Sequence, residues 1–139
     1  MRKKVHYTIP DAQNLLTEIK PTLKQLMKLH KAINMIDSIE IEFDDYHYEN
    51  NLIGININKK YHRLSYEFYK SLETLEKTGC IVKDLEIGLV DFFSTHEGRD
   101  IVLCWMLGEK NIQYWHEIDD GYSNRQPISL LKEKKISSR

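Results

Sequence analysis

Cysteine is scarce in this chain: 139 residues hold only Cys80 and Cys104, and neither stands in a CxxC. Two thiols cannot make the disulfide framework of a small secreted domain. Both lie among apolar neighbours, in Gly79-Cys80-Ile81-Val82 and Leu103-Cys104-Trp105, so both are read as buried and reduced. Glycine and proline are sparse too, at six and three. No GxGxxG, GxxxxGKS or GxxxxGKT occurs, so nucleotide chemistry built on those phosphate-cradling loops has no support.

An excess of charge is also missing, since 20 basic residues face 21 acidic ones for a net charge of -1. Nothing draws the whole chain to nucleic acid or to an anionic membrane, and nucleic acid is not expected as a partner. The longest apolar runs, Leu89–Phe93 and Ile101–Leu107, are far too short to span a bilayer. The start, Met1-Arg2-Lys3-Lys4-Val5-His6-Tyr7, is charged but leads into no apolar stretch, so it does not read as a signal peptide. A cytoplasmic protein without membrane contact is expected.

Hydrophobic residues make up 41% of the chain, enough for one ordinary core. A single domain over 1–139 is expected, with 1–6 and 129–139 as frayed termini.

From Thr8 to Ile36 the rhythm is helical. Thr8 suits a cap, Pro10 a first turn and Asp11 the positive helix end. Ala12, Leu15, Leu16, Ile19, Leu23, Leu26, His30 and Ile33 then share one face. Pro21 lacks the N–H of a continuous helix, which predicts a kink or a restart. Asp37 to Asn50 carries six acids and no Lys or Arg, and is read as a connection with a solvated acidic face. A second helix is expected from about Asn56 to Thr78. Its stripe is Ile57, Tyr61, Leu64, Phe68, Leu72 and Leu75, and Gly79 is its C-cap.

After Gly79 the rhythm turns extended. Ile87–Phe93, Ile101–Leu107 and Ile112–His116 read as three strands, with turns at Thr95–Gly98 and Gly108–Asn111. The middle one is apolar on both faces and should be covered on each side. The expected fold is therefore α+β: a long, kinked antiparallel helical hairpin packed on a three-stranded antiparallel meander. Long amphipathic helices and an open sheet edge suit a homodimer.

Several blocks carry a resemblance. They are Val82-Lys83-Asp84-Leu85, Gly88-Leu89-Val90-Asp91-Phe92, Gly98-Arg99, Leu103-Cys104-Trp105, Leu107-Gly108-Glu109, Tyr114-Trp115-His116, Gly121 and Arg125-Gln126-Pro127-Ile128. Tyr7-Thr8 with Ala12, Leu15 and Leu16 adds an N-terminal pattern. Together they resemble the uncharacterised prokaryotic family catalogued as domain of unknown function twenty-two-oh-three. Phe93 stands where that family usually has proline, Met106 where a basic residue is common, and Asn124 where glycine is usual. The resemblance implies no activity, cofactor or catalytic residue.

Three polar residues sit inside the β segment: Asp91, Cys104 and His116. A two-residue turn at Glu109-Lys110 would set Leu103 opposite His116 and Asp91 near Leu103. Asp91 and His116 would then flank one central position on one face, with Cys104 pointing to the other. A slip of one residue reverses the placement of Cys104. An Asp beside a His can orient a general base or form part of a metal site. A thiolate joining them would suggest zinc or another transition metal. The spacing fits no standard zinc signature, and further ligands would come from Glu117, Asp119 or Asp120. The pair is therefore read first as a buried structural hydrogen bond, with no cofactor expected. Cys104, set mid-strand, is not expected to be a nucleophile.

A second set comprises Arg99, Glu109, Trp115, Asp120 and Arg125, with Trp105, Tyr114 and Tyr122 nearby. Arg125 could reach a carboxylate such as Asp120 or hold a phosphate. Aromatics with an arginine also make interface anchors. Two functions are carried forward. One is a non-catalytic interaction or regulatory module that binds a protein or a small molecule. The other is a zinc- or manganese-dependent hydrolase-like enzyme centred on Asp91 and His116.

Overall fold

The computed structural model describes residues 6–38 and 48–131. The acid-rich connection falls mostly in 39–47 and the lysine-rich tail in 132–139, outside the described residues.

Helix α1 spans Ile9–Asp37. The Thr8 side chain accepts a hydrogen bond from the Asp11 N–H at 3.2 Å, the expected N-cap. The restart expected at Pro21 does not occur. The helix runs through it unbroken, with Pro21 exposed, so the carbonyl left without its N–H can face water. Helix α2 spans Tyr48–Glu76, about two turns more than the sequence indicated. Its early apolar residues, Leu52, Ile53 and Ile55, are exposed and so gave no one-sided rhythm. Tyr7 lies near Cys80, and His30 near Phe68, so the helices run antiparallel.

Gly79 takes a φ of 92° beyond α2, the left-handed turn its place predicts. Five strands follow, not three: β1 Ile81–Asp84, β2 Leu89–His96, β3 Arg99–Met106, β4 Tyr114–Glu117 and β5 Gln126–Pro127. They pair antiparallel in chain order. β1 and β5, at four and two residues, are too short to show a period of two.

Alternation along the strands gives the sheet two faces. The inner face carries Val90, Phe92, Ile101, Leu103, Trp105 and Trp115. These bury against Ala12, Leu16, Ile19, Leu23 and Leu26 of α1 and Leu75 of α2. Phe68 and Leu72 of α2 pack on the same core. The outer face carries Asp91, Cys104 and His116. β3 is buried from Ile101 to Trp105, so it is covered on both sides as expected.

The described residues nearest the two ends are tied down, and 1–5 lie outside the described residues. His6 bridges Phe93, and the Tyr7 N–H donates to the Phe93 carbonyl at 2.7 Å. At the other end Ile128 and Leu131 are buried in the core. No helix among the described residues is long and apolar enough to cross a membrane.

Gly88 turns the chain into β2 with a φ of 72°. A Cβ there would lie 2.7 Å from the Leu107 Cβ and 3.1 Å from the Met27 Sδ. Backbone strain and the clash add, so Gly88→Ala should cost about 2–4 kcal/mol in urea unfolding. A loss under about 0.5 kcal/mol would mean the turn relaxes freely.

Candidate metal centre

Register decides what the outer face can do. β2 sets Asp91 directly opposite Cys104 on β3. β4 sets His116 opposite Val102, and Tyr114 opposite Cys104. The sequence expectation is corrected here, since Cys104 shares the face of Asp91 and His116. The assumed two-residue turn is in fact the seven-residue loop 107–113 between β3 and β4. The pairing moves by one residue, from Leu103 to Val102 opposite His116, and the thiol changes sides.

Asp91, Cys104 and His116 are 3%, 0% and 4% exposed. One ligand atom from each lies within 4.8 Å of the other two. The Asp91 Oδ2 and the His116 Nε2 are 3.4 Å apart. That equals, to within about 0.1 Å, the edge of a tetrahedron drawn with ~2.0–2.1 Å zinc bonds. The His116 Nδ1 lies 2.7 Å from the Glu117 carbonyl, so it carries the proton and donates. The Nε2 is thereby turned toward Asp91, where it bears a proton for the carboxylate or, without that proton, offers a lone pair to a metal, the orientation that backbone carbonyls impose on ligating histidines. The buried Asp91 Oδ1 has no hydrogen-bond partner among the described residues.

Without a cation this cluster is electrostatically awkward. Burial pushes the Asp91 carboxyl above its ordinary range, and His116, Cys104 and Lys83 offset only part of that. Burial, then the Asp91 charge, pushes the Cys104 thiol up to about 12, against a smaller opposing pull from Arg125. A divalent ion would reverse both tendencies, because it favours carboxylate and thiolate.

The cluster borders a cavity of about 370 Å³. Its wall includes Asp91, His116, Lys83, Asp120 and Tyr122. The segment from Asp120 to Arg125 folds back beside it. Arg125 fixes that segment: its guanidinium donates to the Glu109 Oε1 and Oε2 at 2.8 and 2.7 Å. It also lies over the Tyr114 and Tyr122 rings, at 4.0 and 4.8 Å. Glu109 in turn accepts from the Met106 N–H at 2.7 Å, and its carbonyl accepts from the Trp105 Nε1 at 3.0 Å.

The second set from the sequence therefore divides. Arg125 pairs with Glu109, not with Asp120. Arg99 pairs with Glu117 and lies over the Trp115 ring. Trp115 is buried in the core. Asp120 lines the cavity. The Glu109–Arg125 pairing is not legible in the sequence, where Gly108–Asn111 reads as a tight turn. Gly108 and Asn111 at its two ends were the signal for a longer loop.

Neither the curated proteins nor the solved structures gave a match. A family model described as "Uncharacterized conserved protein (DUF2203)" matches residues 6–128, which takes in both helices, the five strands and all three candidate ligands. The chain belongs to this family.

Proposed function

We propose that this protein is a zinc-dependent hydrolytic enzyme of the cytoplasm. Asp91, Cys104 and His116 are its three metal ligands. The observation that carries the reading is the convergence of one carboxylate, one thiol and one correctly presented imidazole nitrogen beside a cavity. The mixed O, S and N donor set suits zinc better than manganese, which prefers oxygen. Three protein ligands leave a fourth position for water, the pattern of catalytic zinc rather than structural zinc. Zinc held there would lower the pKa of such a water. Asp120, in the cavity wall, is the candidate to take its proton. A cytoplasmic setting agrees with two buried thiols that form no disulfide.

Loading with cobalt(II) tests the centre directly. One equivalent should bind and give a thiolate-to-metal band in the near ultraviolet. Cys104→Ser should remove the band, and His116→Ala should remove stoichiometric binding. No bound metal, or a spectrum indifferent to Cys104→Ser, would overturn the proposal.

The interaction module, the other function expected from sequence, draws on a different region. Leu52, Ile55, Tyr66 and Tyr69 of α2 are exposed. They lie on the helical layer, away from the outer sheet face, so the two roles do not compete.

A further inference from the structure

The inner face of the sheet does not stay apolar to its end. Along β2 the alternation that buries Val90 and Phe92 carries on to Ser94 and His96, which are buried as well. A cavity of about 310 Å³ lies between this end of β2 and the start of α1. Its described wall includes Thr8, Ile9, Ser94, His96, Ile101 and Leu131.

Two of these side chains lack the partners that buried polar groups ordinarily find. Ser94 is 4% exposed, and its hydroxyl forms no hydrogen bond among the described residues. The His96 side chain is 8% exposed, and its Nε2 has no hydrogen-bond partner either. The Glu97 Oε1 lies 3.8 Å from that nitrogen, too far to supply one. The first turn of α1 adds a third group. Pro10 has no N–H, the Asp11 N–H donates to the Thr8 hydroxyl, and the Ala12 N–H donates to the Thr8 carbonyl. That leaves the Ile9 N–H open, at the positive end of a 29-residue helix.

The groups left over can all donate, and no Asp or Glu is among the described residues that line the cavity. Asp100, close by, is held by the His6 Nε2 at 3.0 Å. Ile9, Ile101 and Leu131 make the rest of the wall apolar. We propose that this cavity binds a small monocarboxylate with a short, branched apolar chain. Its carboxylate accepts from the Ser94 hydroxyl and the Ile9 N–H, with His96 beside it, and its chain packs on Ile101 and Leu131. An open N–H and the helix dipole act together on such an anion. The volume, near the lower end for ligand cavities, suits a compact molecule. Inorganic phosphate would leave the apolar wall uncovered, and a neutral amide would gain little from the dipole.

The candidate metal ligands lie on the outer face, so neither reading depends on the other. Amide chemical shifts of the full chain, followed by NMR during titration, test this one. Isovalerate should saturate a set of shifts that includes Ile9, Ser94 and His96. Isovaleramide, which has the same shape without the charge, should bind at least about tenfold more weakly. Inorganic phosphate should also bind more weakly than isovalerate. Ser94→Ala removes a hydroxyl that bonds nothing within the described chain, so the variant should fold. It should weaken isovalerate binding at least about fivefold. Isovalerate shifts that show no saturation by about 100 mM would overturn the proposal. So would shifts confined to other parts of the chain, or equal binding of the amide. So would phosphate binding more tightly than isovalerate, or a Ser94→Ala variant that binds as well as the native protein.

Discussion

Zinc affinity is expected to rise about tenfold per pH unit from about pH 8 to pH 10. The cause is the Cys104 thiol, whose proton is held up to about 12. Throughout that window the metal-free protein keeps this proton, and zinc must displace it. One proton released per zinc bound makes the affinity constant rise tenfold per unit. In more acidic solution the slope should steepen beyond one, because metal binding needs every ligand free of its proton and burial raises the Asp91 carboxyl. Competition with a chelator of known pH dependence measures the slope. Cys104→Ser should flatten it and cost at least about a hundredfold in affinity at pH 8. An affinity flat across the window would exclude the thiol as a ligand.

Glu109→Ala is expected to cost about 3–5 kcal/mol of stability, a large fraction of what a single domain has. The Arg125 and Glu109 side chains are 10% and 15% exposed, so water does little to screen the pair. Deleting the carboxylate leaves a guanidinium largely out of water, and the Met106 N–H loses its acceptor. Arg125→Ala should cost nearly as much, by stranding Glu109. The double replacement Glu109→Gln with Arg125→Met should cost less than either, since no uncompensated charge remains. Urea unfolding of the three variants gives the comparison. Single-variant losses below about 1 kcal/mol would place the pair among surface ion pairs.

What could be read from the chain followed from how much context each feature needs. The buried stripe of α2 and the cap at Thr8 depend on a few neighbouring residues, and both stand as expected. The turn read at Thr95–Gly98 was legible for the same reason, though it is tighter, Glu97-Gly98, with Thr95 and His96 paired in β2. Strands β1 and β5 were not, because their place is set by the neighbour they pair with. The Asp91–His116 pairing survived because both registers are off by one residue, Asp91 from Leu103 to Cys104 and His116 from Leu103 to Val102, and those two positions share a face. Cys104 did not, because a register shift of one reverses a side chain. The loop that decided it is held by bonds from distant residues, Glu109 to Arg125 and Gln13 to Asn111 and Ile112, which the local sequence does not show.

The strictly sequential order of the sheet has a kinetic consequence. Every strand adds to the one made just before it, with no crossover, so residues 81–127 can zip up through short closures. The distant closures are those of α1 and the amino-terminal bridge to Phe93. Assembly should therefore begin in the β region and finish when the first helix docks. Until then the apolar side of the growing sheet stays wet, which makes that docking the moment most exposed to misassociation.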